Sequence, residues 1–253
     1  MALTLGAAWG ITKGLGLPNF VATLLGAIGS TGVYIALVRN LENRQPTELD
    51  PKKTPEALAG LALGALLFSA TIGILWLLGS YKVEGTGPAT ALLGTASAAA
   101  LGGIGEEILL RGVVYRITEE LTGTWGSLAI SALLFGLLHL PNPNATLIGA
   151  IAIALEAGIL LAAAYLVTRR LWLAIGLHIG WNFTQGGIFG VAISGHEAKG
   201  LLHGVLTGPD WLSGGAFGAE ASPIAVLVCL AAAIPMLVLA KKHGQFKTRA
   251  REA

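Results

Sequence analysis

Apolar stretches of near 20 residues recur from one end of this sequence to the other, and no feature restricts its folding more. A helix rises 1.5 Å per residue, so a run of roughly 20 apolar residues crosses a hydrocarbon layer of about 30 Å. Seven such segments can be drawn: about Leu17–Val38, Ala57–Gly79, Pro88–Glu106, Trp125–Leu140, Ala145–Thr168, Leu171–Phe189 and Pro223–Leu239. Leu3–Trp9 adds a candidate interfacial turn. The runs are continuous rather than alternating, which indicates helices and not barrel strands. No basic stretch precedes the first segment, so it is expected to stay in the membrane as a helix.

Composition agrees with this. Of 253 residues, 54% are apolar and 12% charged, against about 25% charged in ordinary soluble domains. Mean hydropathy is +0.71, and 16 basic against 14 acidic residues give a net charge of +2. A soluble domain, a disordered chain and a nucleic-acid binder with a basic face are thereby excluded. The single cysteine, Cys229, lies in an apolar run, allows no internal disulfide and reads as a small core or lipid-facing residue. The fold class expected is all-α, a polytopic transmembrane bundle of about seven helices forming one integral domain over residues 1–253. Glycine, 36 residues of the total, lets such helices approach closely. Trp76, Trp125 and Trp172 fall near segment ends, where indole rings favour the interface.

Basic residues set the orientation. With the segments drawn above, 13 of the 16 lie in the connections after segments one, three and five or in the C-terminal tail. The positive-inside rule puts the N-terminus outside and the C-terminus in the cytoplasm. Arg169 and Arg170 and the tail bases are expected as solvated anchors near anionic lipid. The connection from Gly190 to Ala221 is long and glycine-rich, and is expected to dip into the membrane face or cap the bundle. Its His196 and His203 read as surface residues.

Three polar clusters interrupt the apolar pattern: Glu106-Glu107 with Arg111, His139, and His178 with Asn182. Ionisable groups are costly in a bilayer and usually face a cavity. On a helix, Glu107 and Arg111 share a face four residues apart and can form a buried ion pair, whereas Glu106 points about 100° away and is left free. His178 and Asn182 share another face. His139, before Pro141, follows an apolar stretch that aims it into the bundle. Each cluster alone also reads as interfacial groups or as helix-to-helix hydrogen bonding. Together, one Glu, two His and one Asn match the donors of a catalytic Zn²⁺ site, or of a glutamate-activated water beside oxyanion donors. Without an HExxH motif, such a site has to assemble from separate helices. Segments drawn to end at Glu106 and His139 would set these two residues roughly 20 Å apart in depth, so a shared site requires helix three to continue past Arg116 or helix four to be tilted.

These motifs resemble the CPBP intramembrane metalloproteases, which include the CAAX prenyl endopeptidases and bacterial relatives linked to bacteriocin immunity. The family pattern is EExxxR, FxxxH and HxxxN or HxxxD. It occurs here in order as Glu106-Glu107 to Arg111, Phe135 to His139, and His178 to Asn182, within a similar stretch of about residues 88–218. The resemblance implies an intramembrane endopeptidase of a bacterial cell membrane, acting on membrane-associated proteins or peptides. In it Glu106 activates water, His139 positions that water or binds a metal, and His178 and Asn182 complete the metal site or form the oxyanion hole; the divalent metal, Zn²⁺ by donor type, would be held by Glu106, His139, His178 and Asn182. Glu107 and Arg111 support them. Glu156, an acid inside segment five, belongs to no motif and reads as a supporting partner, a gate, or a hydrogen-bonder to a neighbouring helix. The rival readings are a non-proteolytic immunity or partner-binding protein on the same scaffold, and a transporter. The intact motif set disfavours the first, and the lack of paired half-repeats disfavours the second.

Overall fold

The computed structural model describes Gly10 and residues 12–248. The candidate turn at Leu3–Trp9 lies outside the described residues. The protein is a helical bundle with one small β-ribbon. In chain order it comprises α1 (Asn19–Leu41), α2 (Pro55–Leu77), β1 (Tyr81–Thr86), α3 (Ala91–Glu107), α4 (Arg116–Leu137), α5 (Leu147–Ile153), α6 (Ile159–Thr168), α7 (Leu171–Asn182), β2 (Leu202–Leu206), the short α8 (Asp210–Ser213), and α9 (Pro223–Lys242). Three π-helical turns interrupt or extend the helices at Ile108–Tyr115, Ala154–Gly158 and Phe183–Ile188. Among the described residues, four helical runs are long and apolar enough to cross a membrane: Phe20–Leu41, Pro55–Leu77, Leu147–Thr168 and Pro223–Lys242. Their outer faces are apolar, with Ile28, Leu58, Leu66, Leu227 and Ile234 all more than half exposed.

The boundary drawn at Glu106 is corrected. Helix α3 runs through the π turn into α4 without a break, and the chain reverses only at Gly123, whose φ of 73° and ψ of 175° are non-helical. A residue with a Cβ is strained there, so glycine marks the corner. Glu106 thus lies 17 residues before the corner and His139 16 residues after it. Two arms of nearly equal length place them level. Charge hides this continuity in the sequence, since Arg116, Glu119 and Glu120 read as a polar connection. In the structure Glu119 is buried against Arg169, 2.6 Å away, and hydrogen-bonds Thr124. Arg169 and Arg170 are therefore not free solvated anchors: the second is paired with Glu56.

Helices α2 and α7 are in backbone contact. A Cβ on Gly60 would lie 2.3 Å from the Leu173 carbonyl oxygen, and one on Gly176 2.0 Å from that of Ala57. Gly64 and Gly180 repeat the pattern one turn on, so each helix presents a small-xxx-small stripe to the other. Phe68 closes the contact, edge-on to Trp181 at 5.0 Å. Gly176→Val is expected to destabilise by about 1–3 kcal/mol through overpacking, read as a lowered unfolding temperature in detergent. Gly73→Ala on the same α2 is the control, because no atom lies within 4 Å of its Cβ position. Equal behaviour of the two variants would refute the close-packed interface.

The ribbon β1–β2 is absent from the all-helical expectation. Tyr81 pairs with Leu206 and Thr86 with Leu202, antiparallel, with a shift of register between Val83 and Gly85. It anchors the connection expected to cap the bundle. Tyr81 donates to the Phe189 carbonyl at 3.0 Å, and Thr95 to that of Lys199 at 3.2 Å. Cys229 is fully buried in the core with Ala225 and Ala233.

Candidate active site

The packing of α3, α4 and α7 brings all four candidate residues to one cavity of about 660 Å³, whose lining includes Glu106, His139, His178 and Asn182. Glu107 and Arg111 lie behind it, both fully buried and joined at 2.9 Å. The π turn after Glu107 carries Arg111 toward the second π turn. There its Nη2 donates to the Gly158 carbonyl at 2.9 Å and the Ala157 carbonyl at 3.3 Å. A π turn leaves carbonyls without their usual helical partner, and Arg111 supplies the missing donors. The guanidinium also lies 4.9 Å from the centroid of the Phe135 ring. One arginine therefore ties three helical elements together.

His178 is held between the two glutamates. Its Nδ1 donates to Glu107 Oε1 at 3.1 Å, and its Nε2 faces Glu106 Oε2 at 4.0 Å. His139 donates from Nδ1 to the Phe135 carbonyl at 2.7 Å. Both partners are acceptors only, so each Nδ1 carries a proton, and a ring in its neutral form keeps its lone pair on Nε2. Phe135 packs against both imidazoles, with centroids 5.0 Å and 5.8 Å away. Among the described residues Glu106 Oε2 has no hydrogen-bond partner, and its side chain remains 31% exposed toward the cavity. Asn182, one turn beyond His178, lines the wall. The ensemble is a carboxylate without a partner beside two oriented imidazoles and an amide.

Donor type and orientation suit a divalent ion. Both Nδ1 atoms are engaged, as in metal-binding histidines, and Glu106 Oε2 is free. Among the described residues, however, no three His, Cys, Asp or Glu side chains are gathered closely enough to form a ready-made metal group.

Glu156 also lines the cavity, from the π turn Ala154–Gly158, and accepts a hydrogen bond from the Cys229 thiol of α9 at 3.2 Å. Several lining residues escaped the sequence reading, among them His196, Glu197, Lys199 and Glu220. His196, taken as a surface residue, is exposed but lies at the cavity rim, and Glu220 is buried in the wall. Their only signal was a cluster of polar residues in an otherwise glycine-rich connection. Asp210 and His203 do not line it.

Residues 88–184 match a family model described as Rce1-like, type II CAAX prenyl endopeptidase Rce1-like. The matched stretch spans all three motifs. Neither the curated proteins nor the solved structures gave a match.

Proposed function

We propose that this chain, whose residues 88–184 match the Rce1-like type II CAAX prenyl endopeptidase family model, is a CPBP-type intramembrane endopeptidase working by a glutamate-activated water. The observation that carries the reading is the placement of His178 between Glu107 and the partnerless Glu106, on the wall of a cavity. Glu106 would take a proton from water as it attacks a peptide carbonyl. The amide of Asn182 and a ring N–H, once Nε2 is protonated, would stabilise the oxyanion of the tetrahedral intermediate. Glu106 would then return the proton to the leaving amine. Glu107 keeps His178 in the required tautomer, and Arg111 holds Glu107. In the metal-bound alternative, a divalent metal, Zn²⁺ by donor type, would be held by Glu106, His139, His178 and Asn182, and would replace the oxyanion-donor roles of the imidazole and the amide. When bound it would polarise the carbonyl and acidify the water.

The substrate would be a membrane-associated protein or peptide, with lipid acyl chains around the apolar outer faces. The setting would be a bacterial cell membrane. Seven crossings are proposed, one each for α1, α2, α3, α4, the α5–α6 run, α7 and α9, with the C-terminus in the cytoplasm. In support, Arg44, Arg116, Arg169 and Lys247 line one pocket at a single end of the bundle. Reporter fusions after Lys53 and after Gly87 are expected to report opposite sides. The same side for both would refute this topology.

Cleavage of a peptide library by the protein reconstituted in lipid tests the activity. Binding of a membrane protein partner without any cleavage would favour the non-proteolytic alternative.

A further inference from the structure

Three buried acids outside the cavity wall have a cation against them. Glu48 has Arg44 at 2.8 Å, Glu107 has Arg111 at 2.9 Å, and Glu119 has Arg169 at 2.6 Å and Lys247 at 3.5 Å. Glu156 and Glu220 break this pattern. Both are 3% exposed, both line the cavity, and among the described residues neither forms an ion pair. Glu156 accepts from the Cys229 thiol at 3.2 Å, and a thiol is a weak donor. Its other carboxylate oxygen has no hydrogen-bond partner among the described residues. Glu220 accepts from the Gln185 amide and from the Ser194 backbone N–H, both neutral.

The placement of Glu156 is built rather than incidental. It sits in the middle of the π turn Ala154–Gly158, and the next two carbonyls of that turn are held by Arg111. The arginine that secures Glu107 thus also secures the backbone that presents Glu156 to the cavity. Around it the wall is apolar, formed by Ile153, Leu160, Leu161 and Trp181. A carboxylate in such surroundings needs a proton or a counter-cation. Among the described residues no cation pairs with it; Lys199, exposed, lines the same cavity without forming an ion pair to either acid, and the open side is the cavity itself. Burial pushes the Glu220 carboxyl up to about 7, so it is readily ionised when a cation approaches.

We infer that Glu156, with Glu220 in support, forms a cation-accepting subsite of the cavity that selects a basic side chain flanked by apolar neighbours in the bound polypeptide. The inference deepens the endopeptidase reading, because the selected residue belongs to the chain being cleaved. A lysine whose alkyl stem packs on Leu160 and Trp181 would place its ammonium at Glu156 and displace the thiol.

The test uses full-length Glu106→Gln protein in detergent, so that Glu106 offers no competing charge. Two probes are titrated while tryptophan fluorescence, to which Trp181 contributes, is followed: acetyl-Leu-Lys-Leu-amide, and the same peptide with norleucine in place of lysine. The lysine peptide is expected to bind about tenfold tighter, the scale of one charge-assisted contact. Adding Glu156→Gln should bring the two affinities within about twofold of each other, with the norleucine affinity little changed. Equal affinities before that second change would overturn the subsite, whatever the folding of the double variant. So would a lysine preference that survives in a folded double variant. Wild-type protein is then tested for cleavage of both peptides. A lysine preference in binding without cleavage sustains the subsite and counts against the protease reading. Cleavage with equal affinities does the reverse.

Discussion

Glu106→Gln is expected to lower peptide cleavage by a factor of about 10²–10⁴ or more while leaving the unfolding temperature nearly unchanged. The two outcomes separate because of where the side chain sits. Glu106 Oε2 has no hydrogen-bond partner among the described residues, and the group faces the cavity. An amide of the same shape therefore breaks no hydrogen bond at that oxygen, and it cannot accept the proton from water. Glu107→Gln is the informative contrast. Glu107 Oε1 is shared by Arg111 and His178, at 2.9 Å and 3.1 Å. Neutralising it leaves a buried guanidinium without its anion, so stability and activity should fall together. The measurement is turnover of a cleaved peptide in lipid, alongside thermal unfolding of each variant in detergent. Retained cleavage by a folded Glu106→Gln protein would remove Glu106 as the base and with it the proposed mechanism.

Arg111→Ala is expected to destabilise the protein by about 3–5 kcal/mol, the usual cost of stranding one member of a buried ion pair. The figure is approached from two sides here. Glu107 loses its cation, and the carbonyls of Ala157 and Gly158 lose their shared donor. Arg111→Lys should recover part of the stability and little of the geometry. A single ammonium cannot reach Glu107 on one side and two carbonyls on the other, as the planar fork does. Activity should follow, because the π turn at Ala154–Gly158 and the tautomer of His178 both depend on that fork. Thermal unfolding in detergent decides the matter. An Arg111→Ala protein as stable as wild type would show that the pair contributes nothing to the fold.

Much of the candidate site's placement was readable from spacing alone. An i,i+4 separation on a helix puts Glu107 with Arg111 on one face and turns Glu106 away, as the structure shows. The same rule puts His178 and Asn182 on a common face, and both line the cavity. The reason is local: a regular helix converts sequence separation directly into direction. Spacing could not show the three π turns, since each depends on what its freed carbonyls meet. That of Ala154–Gly158 is satisfied by an arginine 46 residues away in the chain.

The pairing of β1 with β2 was equally hidden, because Tyr81–Thr86 is six residues long and its partner begins more than a hundred residues later. The helical corner at Gly123 was obscured by charge. Arg116 and Glu119 look like a solvated connection until Glu42 and Arg169 are brought beside them from other helices.

What the sequence by itself determined was the helical membrane class and which polar residues share a helix face, because apolar length and helical period act within a segment. What only the tertiary structure decided was depth and company. Glu106 and His139 stand level because two arms of equal length fold back at Gly123, and His178 reaches them because α7 is positioned by backbone contact with α2. Glu156 stays without a cation, whereas Glu48, Glu107 and Glu119 each acquire one, because partners are assigned by packing between helices and by nothing within a single one.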